Sequence, residues 1–151
     1  MYLPALSVVF LALAILPASA SEADVKAVKA VLSAYKSAVE SLDASGAVQL
    51  FAEDSAVFEN GTAEGTFSHY LGHHLGPELR EVRAFRYSDH SVNVKVEGAM
   101  AVASETYRFR MEPKHGEAIE RQAVATSALR KEGEAWKILQ YHNSSRRSRG
   151  S

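Results

Sequence analysis

The stretch HYLGHHLGPE, residues 69–78, contains three of the chain's six histidines. Histidine titrates near neutral pH and binds metal ions, so a cluster of it indicates proton transfer or metal binding. Successive residues of an α-helix lie about 100° apart, which separates His73 from His74. His69 and His73 then form a His-x-x-x-His pair, for which two solvated side chains are the simpler interpretation. His74 lies with Tyr70 on the side that should face a sheet.

A second histidine candidate lies in the last strand, which is predicted from the sequence AWKILQYHNSS. Alternation along a strand places Trp136 and Ile138 on the same face as Gln140, His142 and Ser144. This face runs from apolar to polar, as expected where a strand leaves a core and borders a pocket. We therefore predict His142 as a catalytic residue and Gln140 and Ser144 as ligand-binding residues. The alternative is a structural histidine that is hydrogen-bonded to a neighbour.

Glu59 is the carboxylate that could act with these histidines. It shares a strand face with Val57, just before the Asn60–Gly61 turn. A carboxylate there has a raised pKa suited to acid–base catalysis, accepts a hydrogen bond from an imidazole, or simply reaches solvent. The predicted catalytic group, which serves proton transfer or dehydration of a small organic molecule, is Glu59, His74 and His142. Predicted ligand-binding residues besides Gln140 and Ser144 are Tyr70, Glu105, Tyr107 and Thr126.

Two other functions remain open at this point. The first is a metal site that uses His74, His142 and Glu59, with His73 as the weakest candidate. Two or three histidines with a carboxylate suit Zn or Cu. The second is a non-catalytic binding module. The preferred hypothesis, an acid–base pocket, requires no cofactor.

The composition excludes several classes of site. The chain has 151 residues and no cysteine, which excludes disulfides, thiolate zinc sites and thiol nucleophiles. The net charge of −1 gives no overall field that favours nucleic acid or an anionic membrane. The expected partner is a small-molecule ligand of the predicted pocket.

The two ends of the chain differ from its middle. The apolar run Leu6–Leu16 is followed by Ala18-Ser19-Ala20, which predicts an export signal at residues 1–20, although no Lys or Arg precedes the run. The alternative is an uncleaved anchor, but the run is much shorter than the roughly 20 apolar residues that span a bilayer. We expect a periplasmic or secreted protein with one domain at residues 21–145 and no membrane contact after cleavage. Residues 146–151 are predicted to form a disordered basic tail.

The domain between these ends is predicted to be α+β. Apolar residues at spacings of three and four, from Val25 through Val39 to Leu42, predict a first helix. A short second helix through Val48, Leu50 and Phe51 ends near residues 53–55, and Asn60–Gly61 predicts a hairpin turn. A third helix should begin at Thr66 or Ser68, and four antiparallel strands should follow Arg80.

Several motifs in this order resemble the nuclear transport factor 2-like superfamily, and more closely its secreted bacterial SnoaL-like proteins of unknown function. The motifs are VFENG, YLGHHL, MAVASET and AWKILQYHNSSR. The resemblance implies a cone-shaped curved antiparallel sheet wrapped around the N-terminal helices, with a pocket at its open end and a homodimer formed through the sheet. It also supports His74 as a site residue. The superfamily includes isomerases and dehydratases as well as binding modules, so the fold alone does not fix the function.

Overall fold

Helix α1, Glu22–Glu40, begins the part of the chain that the structure, a computed structural model, describes: residues 22–147. The predicted export signal at residues 1–20 and the end of the tail, residues 148–151, lie outside the described residues. Val28, Leu32, Tyr35 and Val39 are buried along one side of α1, which confirms the predicted apolar stripe. Within residues 22–147, no helix is long and apolar enough to cross a membrane.

Six strands form one sheet beside α1. They are β1 (Phe51–Glu59), β2 (Thr62–Gly65), β3 (Val82–Glu97), β4 (Met100–Pro113), β5 (Ile119–Glu132) and β6 (Ala135–Arg147). Their order across the sheet is β2-β1-β6-β5-β4-β3. The α+β fold and the Asn60–Gly61 hairpin are thus confirmed. The sheet is mixed rather than wholly antiparallel, because β1 pairs with β6 in parallel across a long connection.

Strand β6 extends further than the sequence predicted. Its pairing with β5 continues to Arg146 and Arg147, which lie opposite Gln122 and Arg121. The domain therefore continues two residues past the predicted boundary at 145, because the backbone of these arginines completes the sheet.

A helical segment connects β2 to β3. It comprises α2 (Phe67–Tyr70), a π-helical turn (Leu71–Leu75) and α3 (Gly76–Arg80), and a short 3₁₀ helix (Ser45–Leu50) precedes β1. The hydroxyl of Thr66 accepts a hydrogen bond from the backbone N–H of His69, which confirms Thr66 as the N-cap of α2.

The π-helical turn depends on the Gly76-Pro77 pair. Pro77 has no N–H to donate to the carbonyl four residues earlier, so the regular α-helical ladder cannot continue through it. The Gly76 N–H instead donates to the carbonyl of Leu71, five residues earlier. A Cβ on Gly76 would lie 2.5 Å from that carbonyl oxygen. The turn therefore requires glycine, and the helix restarts as α3 instead of ending.

A β-bulge in β6 changes which residues face the helices. Leu129 pairs with Ile138 and Ala128 pairs with Gln140, so Leu139 is an extra residue in β6. Ile138 is buried before the bulge, and Tyr141 is buried after it. The alternation predicted for β6 is therefore correct up to Ile138 and reversed beyond it.

Aromatic packing holds α1, α2 and β1 together. The rings of Phe51 and Phe67 stack with centroids 3.7 Å apart, and Tyr35 meets Phe51 edge-on at 5.2 Å. Tyr35 also contacts Tyr141 edge-on at 5.3 Å. Such pairs add to the free energy gained from burial alone, so they favour the bulged register of β6.

The steric constraint at Gly76 gives a stability prediction. We expect Gly76→Ala to lower the free energy of unfolding by about 1–3 kcal/mol, because the new methyl group would push against the Leu71 carbonyl. Gly72→Ala is the matched control, since a Cβ there meets nothing within 4 Å. Urea denaturation of the two variants measures the difference, and equal stabilities would show that the turn tolerates a side chain.

Candidate functional site

A cavity of about 270 Å³ lies between α1, the helical segment and the inner face of the sheet. Seven aromatic side chains line it, and five of them are tyrosines: Tyr35, Tyr70, Tyr87, Tyr107 and Tyr141. The tyrosines come from α1, α2, β3, β4 and β6, so the cavity forms only when all these elements are assembled. Aromatic rings with polar tips suit a small molecule that is mostly apolar and carries some oxygen.

A small set of polar groups converges on this aromatic cavity. Glu59 ends β1 with its side chain 19% exposed, and its Oε2 accepts a hydrogen bond of 2.7 Å from the Tyr70 hydroxyl. Glu78 reaches the cavity from α3, and Arg121 and Asn143 reach it from β5 and β6. The cavity therefore combines two carboxyl groups, hydroxyl donors and one guanidinium among the described residues.

Burial and neighbouring charge alter the acidity of several of these groups. Burial raises the pKa of Glu78, and the nearby Glu59 carboxylate raises it further. Burial also raises the pKa of Tyr70, and the Tyr35 and Glu59 side chains add to the effect. The pKa of Tyr107 rises to about 12 through burial, partly offset by a hydrogen bond with Tyr141. Tyr70 and Tyr107 thus remain hydroxyl donors at neutral pH.

A second polar cluster lies beside the cavity, around Glu64 of β2. The Glu64 side chain is 6% exposed, and its Oε2 lies 2.7 Å from Nε2 of His73. Its Oε1 lies 3.2 Å from Nδ1 of His74, whose Nε2 is 3.7 Å from Oε2 of Glu59. His74 therefore lies between the two carboxylates and connects this cluster to the cavity.

Hydrogen bonds also alter the acidity of the cluster. The hydrogen bond from His73 is the largest cause that lowers the pKa of Glu64, and His74 lowers it further. The pKa of His73 is raised, first by its bond to the His69 carbonyl and then by Glu64. The geometry thus favours a negative Glu64 with a positive group facing it.

The predicted separation of His73 from His74 is wrong. Both imidazoles contact Glu64, since the carboxylate offers one oxygen to each ring and the π-helical turn departs from α-helical spacing. His69 and His73 do lie together, with ring centroids 4.1 Å apart, and both are exposed.

The structure places three of the predicted site residues at the cavity. Glu59, Tyr70 and Tyr107 line it, and His74 approaches Glu59 from the side. Their roles in binding or catalysis stay predictions.

The prediction that His142 faces the cavity is wrong. His142 is exposed on the other side of the sheet, near Phe58, where the ring centroids are 6.3 Å apart. Gln140 and Ser144 share that side because the bulge at Leu139 reverses the alternation, and Tyr141, Asn143 and Ser145 line the cavity in their place. His142 therefore does not lie with Glu59 and His74, as the predicted catalytic group and the predicted metal site both require.

Thr126 and Glu105 are also away from the cavity. Thr126 is exposed opposite His142, on the outer side of the sheet. Glu105 points inward, but it is 7% exposed and does not line the cavity, because its Oε2 pairs with Nε2 of His90 at 2.7 Å. Burial raises the pKa of Glu105, and the bond to His90 opposes that effect.

Sequence reasoning missed Glu64 and Glu78. A regular two-residue hairpin at Asn60–Gly61 would place Glu64 opposite the buried Val57, so alternation alone could have identified Glu64. Glu78 follows His74 by four residues, which places both on one side of a helix. Tyr141 and Asn143 carried no such signal, since only the bulge brings them inward.

Comparison with known proteins agrees with this architecture. No curated protein matches the chain. A conserved protein from Planctomyces limnophilus has a TM-score of 0.75 at 17% identity, over 85% of this chain and 100% of that one. A candidate dehydratase of the NTF2-like family from Streptomyces avermitilis has a TM-score of 0.72 at 18% identity, over 84% and 99% of the chains.

A candidate ketosteroid isomerase from Shewanella frigidimarina has a TM-score of 0.69 at 21% identity, over 78% of this chain and 94% of that one. At sequence identities of 17–21%, these similarities show a shared fold and nothing more. Residues 28–147 match the family model described as SnoaL-like domain, and this range includes the whole sheet and most of α1. The chain therefore belongs to the SnoaL-like domain family, and it shares its fold with NTF2-like proteins.

Proposed function

We propose that the cavity binds a small oxygenated organic molecule and that Glu59 and Glu78 transfer protons on it. The observation that carries this proposal is the 2.7 Å hydrogen bond from Tyr70 to Glu59 inside an aromatic cavity. Tyr70 fixes the orientation of a carboxylate that would otherwise be mobile at a strand end. A positioned carboxylate acting as general base typically contributes about 10²–10⁴-fold to a rate.

The two carboxyl groups have different roles in this proposal. Glu59 accepts a proton from a carbon next to a carbonyl of the bound molecule. Glu78, whose raised pKa favours its protonated form, donates a proton to oxygen. Where that oxygen is a hydroxyl on the adjacent carbon, the C–H and C–O bonds break, a C=C bond forms and water leaves. Without such a hydroxyl, Glu78 protonates the carbonyl oxygen and an enol forms. Glu59 then returns its proton to a different carbon while Glu78 takes back the oxygen proton, which completes an isomerisation.

Names among the structural neighbours support this class of reaction. Solved structures named as a candidate dehydratase and a candidate ketosteroid isomerase share this fold, and dehydration and isomerisation are the two outcomes proposed above. The cavity of about 270 Å³ is small, which favours a ligand of one or two rings. The alternative is a non-catalytic binding module that uses the same cavity.

Proton transfer can be tested with 2-tetralone, a two-ring ketone whose α protons exchange with D₂O. We expect the protein to accelerate this exchange, followed by proton NMR, and Glu59→Gln to reduce the acceleration by about 100-fold or more. Glu53→Gln is the matched control, because Glu53 lies on the same strand but is exposed and outside the cavity. If 2-tetralone raises the melting temperature without any acceleration, the binding module is the correct function. If it does neither, the proposal is wrong for this class of ketone.

The raised pKa of Glu78 predicts a gain in stability when its charge is removed. A carboxyl whose pKa is higher in the folded state favours folding below its unfolded pKa, near 4.5, and loses that contribution as pH rises through the folded value. Glu78→Gln should therefore raise the melting temperature at pH 7 and change it much less at pH 4. Thermal denaturation at the two pH values measures this, and an equal shift at both would contradict the assigned cause.

We also propose that residues 1–20 direct export and that the mature chain begins at Ser21. The support is the apolar run Leu6–Leu16 followed by Ala18-Ser19-Ala20. Full-length chain expressed in a Gram-negative host should yield a periplasmic protein whose intact mass corresponds to a start at Ser21. A full-length mass in the cytosolic fraction would contradict export. The homodimer implied by the family resemblance stays a prediction.

A further inference from the structure

We propose that Glu64, His73 and His74 bind one Zn²⁺ ion beside the cavity. Three donor atoms, one from each residue, lie within 4.8 Å of one another, and no other such group of three occurs in residues 22–147. This ligand set differs from the metal site considered from the sequence, since it contains Glu64 and lacks His142 and Glu59. The proposal is independent of proton transfer in the cavity.

The first argument is the burial of Glu64. Its side chain is 6% exposed, and a carboxylate that is removed from water to this extent requires cationic or hydrogen-bonding partners. Each of its two oxygens faces one imidazole nitrogen, at 2.7 Å and 3.2 Å. The carboxylate is thus aimed at the space between His73 and His74.

The second argument is the orientation of His73. Its Nδ1 lies 2.6 Å from the backbone carbonyl oxygen of His69, which can only accept, so Nδ1 carries a proton. In a neutral imidazole the lone pair is then on Nε2, which faces the carboxylate oxygen of Glu64 at 2.7 Å. Two lone pairs at this distance require a positive species between them, which is a second proton or a metal ion. Histidine ligands of metals are commonly oriented by such a bond to a carbonyl.

The third argument is the orientation of His74. Its Nε2 lies 3.7 Å from Oε2 of Glu59, and its Nδ1 faces Glu64. A proton on Nε2 would be directed toward Glu59 and would leave the Nδ1 lone pair free for a ligand bond. The 3.7 Å separation is longer than a hydrogen bond, so Nε2 must approach Glu59 by several tenths of an ångström to complete the carboxylate–imidazole–metal arrangement that recurs around zinc.

The distances allow an ion to enter with a small adjustment. Tetrahedral ligands about 2.1 Å from zinc lie roughly 3.4 Å from each other. The 3.2 Å separation joins His74 to Oε1 of Glu64, and the 2.7 Å separation joins His73 to Oε2, so two different oxygens are involved. One donor atom from each residue lies within 4.8 Å of the other two, so these side chains must close by at most about 1.4 Å to reach tetrahedral spacing. The side chains of His73 and His74 are 42% and 39% exposed, so an ion can enter and a water molecule can complete its coordination.

Donor chemistry favours zinc over magnesium or calcium. Two imidazole nitrogens with one carboxylate oxygen is a known ligand set of zinc sites that keep an open position, whereas magnesium and calcium take oxygen ligands. The π-helical turn brings two consecutive histidines to one carboxylate, whereas the spacing of a regular α-helix would point these two histidines in different directions.

The experiment is a zinc titration of untagged protein that has been freed of metal by EDTA and dialysis. Calorimetry should show one Zn²⁺ per chain, and zinc should raise the melting temperature by mass action. We expect Glu64→Gln and His73→Gln each to weaken zinc binding at least 100-fold. Glu59→Gln should weaken it about 10–100-fold, as for residues that orient a ligand from outside.

Two control variants keep this test specific. His115→Gln removes an exposed histidine between β4 and β5, and His142→Gln removes an exposed histidine on the other side of the sheet. Both should bind zinc as the unaltered protein does. His73 is exposed, so His73→Gln should fold even if Glu64→Gln does not. The proposal is overturned if the unaltered protein takes up no zinc, or if His73→Gln binds it equally well.

Discussion

One backbone hydrogen bond, from the Gly76 N–H to the Leu71 carbonyl, determines how the helical segment presents its side chains. Widening this single turn accommodates Pro77 without ending the helix, so α3 continues and carries Glu78 to the cavity. The same turn brings His73 and His74 to opposite oxygens of Glu64. π-Helical turns are rare in proteins, and those that occur are often found at functional sites. The position of this turn between two polar clusters agrees with that tendency.

The two clusters are in contact through His74. Its imidazole lies between Glu64 and Glu59, and Glu59 in turn accepts the hydrogen bond from Tyr70. A change in the charge or orientation of His74 therefore reaches a carboxylate at the cavity wall. Electrostatic coupling of this kind is strongest where groups are partly buried, as Glu59 and Glu64 are.

The sequence was sufficient for features that follow from local chemistry. The apolar stripe of α1, the Asn60–Gly61 hairpin and the Thr66 cap each depend on a few neighbouring residues, and all three are confirmed. The cavity residues Glu59 and Tyr70 also followed from local alternation and helical spacing. The π-helical turn could not be predicted from Gly76-Pro77, because the same pair is equally typical of a helix end.

The bulge at Leu139 was the main obstacle to predicting the site. Nothing local distinguishes Leu139 from the residues on either side, since the register is selected by distant packing of Tyr141 against Tyr35 and Phe51. A single extra residue moves every later side chain of the strand to the opposite face of the sheet. The unpredicted bulge therefore led to the wrong face for His142 and its neighbours.

This bulge also has an evolutionary consequence. Strand β6 carries two alternative sets of polar side chains, and the pairing register decides which set faces the cavity. Pairing without the extra residue would present Gln140, His142 and Ser144 in place of Tyr141, Asn143 and Ser145. In a related chain, a shift of β6 by one residue would thus bring an imidazole into the cavity without any amino-acid substitution in the strand.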